Sequence, residues 1–127
     1  MKNIHQKYYI KASAAQVWKA LVDPASINEW GGGPAKMSDK VGAKFSLWDG
    51  QIHGKNLEVK PMKKLKQEWY ADYDTPSFVT FTLSEKDVKS VVELVHTDIP
   101  DDKHKDIEAG WKEYYMEPLK GFVEGLK

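Results

Sequence analysis

The sequence predicts an α+β domain in which a curved antiparallel β-sheet wraps around one long C-terminal α-helix, with two short helices after the first strand. Three observations predict it. From Ala43 to Thr97 apolar residues recur at every second position, the period of half-buried strands. Turn signals such as Asp49-Gly50 and Pro61-Met62-Lys63 divide those runs. From Lys103 to Leu126 the period changes to three and four. Ile107, Trp111, Tyr114 or Tyr115, Leu119, Phe122 and Leu126 then share one face of a helix, about 36 Å long.

In chain order, Asn3–Lys11 reads as a strand rich in β-branched and aromatic residues. Ser13-Ala-Ala-Gln16 has the form of a capping box, in which a hydroxyl and an amide satisfy free N–H groups at a helix start. Val17, Trp18 and Leu21 give that helix its apolar face, and Asp23-Pro24 ends it. A second capping box, Ser26-Ile-Asn-Glu29, is expected to open another short helix ending near Trp30. Gly31-Gly32-Gly33-Pro34 reads as a flexible connector, with a gate beside a cavity as its functional alternative. It is no phosphate loop, because the glycines leave a helix instead of opening one.

Ala43, Phe45 and Leu47 then alternate with Lys44 and Ser46, and Asp49-Gly50 predicts a two-residue hairpin turn. Ile52–Lys60 is the next strand. Leu65, Gln67 and Trp69 share a face of the one after it. A looser segment, Asp72–Pro76, leads to Phe78–Ser84, where Val79, Phe81 and Leu83 face the same way. Glu85-Lys-Asp87 is expected to turn the chain into Lys89–Thr97, with Val92, Leu94 and His96 inward. Pro118 lies inside the last helix and removes the N–H that would bond the Tyr114 carbonyl, so a kink is expected there.

At 127 residues the chain is expected to form one domain, residues 1–127. It contains no Cys, which excludes disulfides, thiolate metal sites and a Cys nucleophile. The start, MKNIHQKYYIK, has no apolar run of a signal peptide, and no stretch is apolar enough to span a bilayer. A cytoplasmic location without membrane insertion is the expectation. All 19 basic residues are Lys. Without the planar fork of Arg, sequence-specific nucleic-acid binding is not expected. Net charge is zero, yet residues 1–70 carry 12 Lys against 6 acids and residues 71–127 carry 7 against 13, a dipolar surface suited to steering a charged partner.

No constellation argues for catalysis. His5, His53, His96 and His104 show no ligand spacing, so neither a metal nor a cofactor is expected. His96 is read as a hydrogen-bonded core histidine. No Ser sits in a nucleophile elbow. Lys60, Lys63, Lys64 and Lys66 cluster about one turn; solvated charge accounts for them, with docking of an acidic partner as the alternative. The excess lies in aromatics: five Trp, six Tyr and four Phe. Core filling absorbs most of them, but a sheet curled around one helix leaves room for a cavity. Its candidate wall is Trp30, Phe45, Leu47, Trp69, Phe81, His96, Trp111, Tyr115 and Leu119.

The chain resembles the START-like (SRPBCC) superfamily, whose fold is the helix grip. Within it the chain is similar to the C-terminal domain of the activator of the ninety-kilodalton heat-shock protein ATPase. The matching pieces are Ala14–Leu21 with Asp23-Pro24, then Phe45–Gly50 with Gly54. Leu94–Thr97, Ile99-Pro100, Gly110-Trp111, Tyr114-Tyr115 and Pro118–Lys120 complete them. The resemblance implies a non-catalytic module that binds a small hydrophobic or aromatic ligand, with a stress-related role. The alternative it implies is a co-chaperone-like protein that docks on a heat-shock chaperone and stimulates its ATPase. A small cyclase or hydrolase using the same cavity is the third alternative, disfavoured because cyclase pockets of the superfamily commonly draw on Arg.

Overall fold

A computed structural model describes residues 1–71 and 75–125. The expected positions Asp72, Tyr73, Asp74 and Leu126 lie outside the described residues. Six antiparallel strands form one sheet: β1 (Lys2–Ile10), β2 (Lys44–Leu47), β3 (Ile52–Lys60), β4 (Lys64–Tyr70), β5 (Ser77–Lys86) and β6 (Lys89–Ile99). Their spatial order is β1-β6-β5-β4-β3-β2, so every pair except β1-β6 is a sequential hairpin. Alternation along β4 is complete, with Leu65, Gln67 and Trp69 buried between half-buried neighbours. The opposite parity faces solvent, and the buried parity faces the helices.

Two helices follow β1: α1 (Ala14–Val22) and α2 (Pro24–Trp30). The capping box at Ser13 forms with both of its hydrogen bonds, and Asp23 closes α1. The second helix starts earlier than the Ser26–Glu29 pattern predicts. Asp23 serves as its N-cap, accepting from the Ser26 N–H and the Ser26 hydroxyl through Oδ2, with Pro24 in the first turn. One Asp-Pro pair thus both stops α1 and starts α2.

The long helix runs unbroken in sequence from His104 to Glu124 as α3 (His104–Gly110), a π-helical segment (Trp111–Met116) and α4 (Glu117–Glu124). The disturbance expected at Pro118 takes the form of this π segment. The Glu117 N–H bonds the Lys112 carbonyl, five residues back, just before the residue that has no N–H to give. A wider turn also changes which side chains face inward. Tyr115 and Met116 are both buried, whereas Tyr114 is exposed. Past the π segment Leu119 and Val123 are buried and Phe122 only partly so. The spacing in the sequence points to Phe122 because it assumes an uninterrupted α period.

Two turns differ from expectation. The β2-β3 loop holds four residues, Trp48–Gln51, because Leu47 pairs with Ile52. The β5-β6 turn falls one residue later than Glu85-Lys-Asp87: Lys86 pairs with Lys89, leaving Asp87 and Val88 at the tip with φ of 54° and 56°.

Candidate functional site

The inner sheet face and the long helix meet in an aromatic cluster built around Tyr115. Its ring centroid lies 4.8 Å from those of both Trp30 and Trp111. Phe81 stacks on it at 5.7 Å, with Trp69 at 6.2 Å and Trp48 edge-on at 6.3 Å. Strand parity supplies Trp69 and Phe81, and the π segment supplies Trp111 and Tyr115.

Two hydrogen-bonded chains lock this cluster. The Trp111 indole N–H donates to His96 Nδ1 at 2.9 Å. An indole N–H can only donate, so the ring proton of His96 sits on Nε2 and is given to Ser77 Oγ, 2.8 Å away. Burial pushes the His96 imidazole down to about 4, because a charged ring there would lose its hydration. His96 is therefore the neutral, hydrogen-bonded core residue that its strand parity implies. In the second chain the Trp69 indole donates to Gln67 Oε1, and Gln67 Nε2 donates to Asn56 Oδ1, both at 2.9 Å. Asn56 Nδ2 in turn donates to the carbonyls of Ser38 and Lys40, tying that loop to the sheet.

Beside this cluster, at the end of the sheet where β3 begins and β4 ends, lies a groove of about 690 Å³. Trp48, Gln51 and Ile52 come from the β2-β3 loop and the start of β3, Trp69 and Ala71 from the end of β4. The helix contributes Ile107, Gly110, Trp111, Tyr114 and Tyr115. No charged side chain lines it among the described residues. Of the cavity candidates read from the sequence, Trp69, Trp111 and Tyr115 line this groove. Trp30, Phe45, Leu47, Phe81, His96 and Leu119 sit in the packed interior behind it.

Trp48, Gln51, Ile52 and Tyr114 are among the wall residues sequence reasoning missed, and Trp48 is the largest of them. It adopts a left-handed backbone, φ 49°, which a bulky side chain takes only at a cost. The Gly31-Gly32-Gly33-Pro34 connector holds it there. The Trp48 indole donates to the Gly31 carbonyl at 2.9 Å, and its backbone N–H donates to the Gly32 carbonyl at 2.8 Å. Glycine suits the connector here: Gly31 takes φ 107°, and a Cβ on Gly32 would lie 2.7 Å from Ile27 Cγ2 and 2.9 Å from the Trp30 ring. The signal that could have found Trp48 is a large aromatic placed beside Asp49-Gly50, at a loop tip.

The lysine cluster lies on hairpin β3-β4 and the outer sheet face. Lys64 and Lys60 both pair with Glu58, at 3.3 and 3.6 Å, and these contacts hold the Glu58 carboxyl below its usual range, the Lys64 hydrogen bond foremost. Lys63 is exposed at the turn and Lys66 half-buried on the strand. Among the described residues no cluster of His, Cys, Asp or Glu is arranged to hold a metal ion. None of their helices is long and apolar enough to cross a membrane.

Residues 11–124 match the family described as Activator of Hsp90 ATPase homolog 1-like protein. The chain belongs to this family. The Activator of 90 kDa heat shock protein ATPase homolog of Dictyostelium discoideum is 27% identical over 124 residues, covering 94% of this chain and 32% of that protein. An uncharacterized protein of Schizosaccharomyces pombe is 25% identical over 121 residues, 93% of this chain and 36% of its own. The chain thus spans about a third of the length of the curated relatives it matches. Among solved structures, an HSP90 activator from Plasmodium falciparum superposes with a TM-score of 0.88 at 21% identity, covering 97% of this chain and 96% of that one. CalU16 from Micromonospora echinospora superposes at 0.83 with 27% identity, covering 97% and 76%. These likenesses establish the helix-grip arrangement, a curved six-stranded sheet around a C-terminal helix of 21 residues.

Proposed function

We propose that this chain is a non-catalytic binding protein for a small hydrophobic or aromatic molecule, held in the groove that the start of β3 and the end of β4 form with the C-terminal helix. The observation that carries the reading is the wall: Trp48, Trp69, Trp111, Tyr114 and Tyr115 converge on about 690 Å³ of space, the size and character of small-molecule sites. Support comes also from Trp48, whose left-handed backbone is held at the rim by two hydrogen bonds to the glycine connector. The cyclase or hydrolase alternative lacks support, because no lining side chain among the described residues is an acid or base near neutral pH. Native mass spectrometry of the protein purified from its own cells is the test. A retained small molecule that Trp48→Ala loses is the expected result; only ligand-free protein across lipid and aromatic libraries overturns the reading.

One finding favours a second reading, a co-chaperone that docks on an Hsp90-type chaperone in the stress response. The family match and the names of the Dictyostelium and Plasmodium relatives support it. The contact surface proposed for it is the lysine-rich hairpin of Lys60, Lys63, Lys64 and Lys66. Stimulated ATPase turnover of the cognate chaperone is the expected outcome, and unchanged turnover at saturating protein removes it.

A further inference from the structure

We infer that the groove selects a flat aromatic molecule bearing a ketone-type hydrogen-bond acceptor, and that the Tyr115 hydroxyl is the donor that meets it. This inference rests on the ligand-binding reading above and adds to it the chemical class of the ligand and the residue that reads it.

Besides the exposed Tyr114, five aromatic side chains with a polar tip have a fixed place in or behind the groove wall. Four have their hydrogen faced to structural partners: Trp30 to the Ala20 carbonyl, Trp48 to the Gly31 carbonyl, Trp69 to Gln67 and Trp111 to His96. The fifth, Tyr115, is buried, and its hydroxyl has no hydrogen-bond partner among the described residues. A buried hydroxyl left without a partner is costly, and native interiors rarely keep one without a reason. Burial raises the Tyr115 phenol above its usual value, so it stays protonated and can donate at any physiological pH. A phenol donates better than it accepts, which calls for an acceptor on the ligand.

On this inference the ligand reaches that hydroxyl past Trp48, which lines the groove together with Tyr115. The two rings meet edge to face with centroids 6.3 Å apart, Trp48 is only half-buried, and its turn carries left-handed backbone at Trp48, Asp49 and Gly50. The other neighbours of Tyr115 sit on strands or helices in the packed core; Trp48 is the one carried on a turn. A flat ring entering between the Trp48 indole and the helix displaces that cover and brings its acceptor to the phenol. Side chains of the walls offer stacking surfaces and, among the described residues, no charge, so the ring system is uncharged.

The experiment compares two probes of nearly equal shape, 2-acetylnaphthalene and 2-ethylnaphthalene, by calorimetric titration of the full chain, with infrared spectra of the bound ketone. Wild-type protein is expected to bind the ketone about tenfold more tightly than the hydrocarbon. Tyr115→Phe is expected to bind both at the hydrocarbon's affinity. The bound carbonyl stretch should lie lower in wild type than in the variant. Equal affinity of the pair in wild type, or an undiminished ketone preference in Tyr115→Phe, overturns the inference while leaving the groove as a binding site. Absence of binding of either probe to wild type counts against the groove reading and takes this inference with it. Trp48→Ala separates the two levels, since it should weaken both probes alike.

Discussion

Between pH 7.5 and 5, acidification should destabilise this protein mainly through His96. Its imidazole is fully buried between Trp111 and Ser77, and burial holds it at about 4 against an ordinary 6.5. A histidine whose folded value is depressed stabilises the fold above 6.5, where both states are neutral. That stability is lost as pH falls from 6.5 toward 4, because only the unfolded chain takes up the proton. At about 1.4 kcal/mol per pH unit, the fall from 6.5 to about 4 amounts to about 3 kcal/mol, of which about 2 should be gone by pH 5. Protonation of Nδ1 would also set an N–H against the Trp111 N–H. The assay is urea unfolding at pH 7.5, 6.5, 5.5 and 5.0 in wild type and His96→Gln, whose amide can accept from Trp111 and donate to Ser77. Wild type should lose stability across that range, and the variant should stay nearly flat. Equal slopes in the two proteins would refute the assignment, as would a wild-type curve that does not bend below pH 6.5.

Three further outcomes follow from the geometry. Tyr115→Phe removes a buried hydroxyl without a partner, so it should raise stability by about 1 kcal/mol in the same assay; a loss of that size would mean the hydroxyl is already satisfied. Gly54→Ala should cost more than about 3 kcal/mol, because a Cβ there would stand 1.7 Å from the backbone carbonyl oxygen of Glu68, and a wild-type melting temperature would contradict it. Val88→Gly should stabilise by about 1 kcal/mol, since Val88 is a β-branched residue held at φ 56° on an exposed hairpin tip; an unchanged midpoint would show that the turn carries no strain.

The fold was legible because each element carries its own period. Strict alternation through Leu65, Gln67 and Trp69 named the inward face of β4, and the same parity turned His96 inward on β6. The capping box at Ser13 located α1 to the residue. What failed was where two local signals competed. Ser26 and Glu29 looked like a helix start, but Asp23 took that role because its carboxylate also reaches the Ser26 hydroxyl. The α period of the last helix broke at the π segment, which the sequence shows only as a misplaced proline. The groove was less legible still. Parity tells which side of a sheet a residue occupies and not which end of it, so Phe45, Leu47 and Phe81 could not be told from Trp69 as wall residues. Its rim depends on Trp48, Tyr114 and Gln51, brought together from segments more than sixty residues apart in the sequence, and no spacing encodes that meeting.

The most direct test of ligand binding at this groove reads the five tryptophan indole N–H signals in a nitrogen-15-labelled sample titrated with 2-acetylnaphthalene. The signals of Trp48, Trp69 and Trp111 are expected to move, while that of Trp18, on α1 and away from the groove, stays in place. Five unmoved signals at saturating probe, or shifts confined to residues outside the groove, would contradict it.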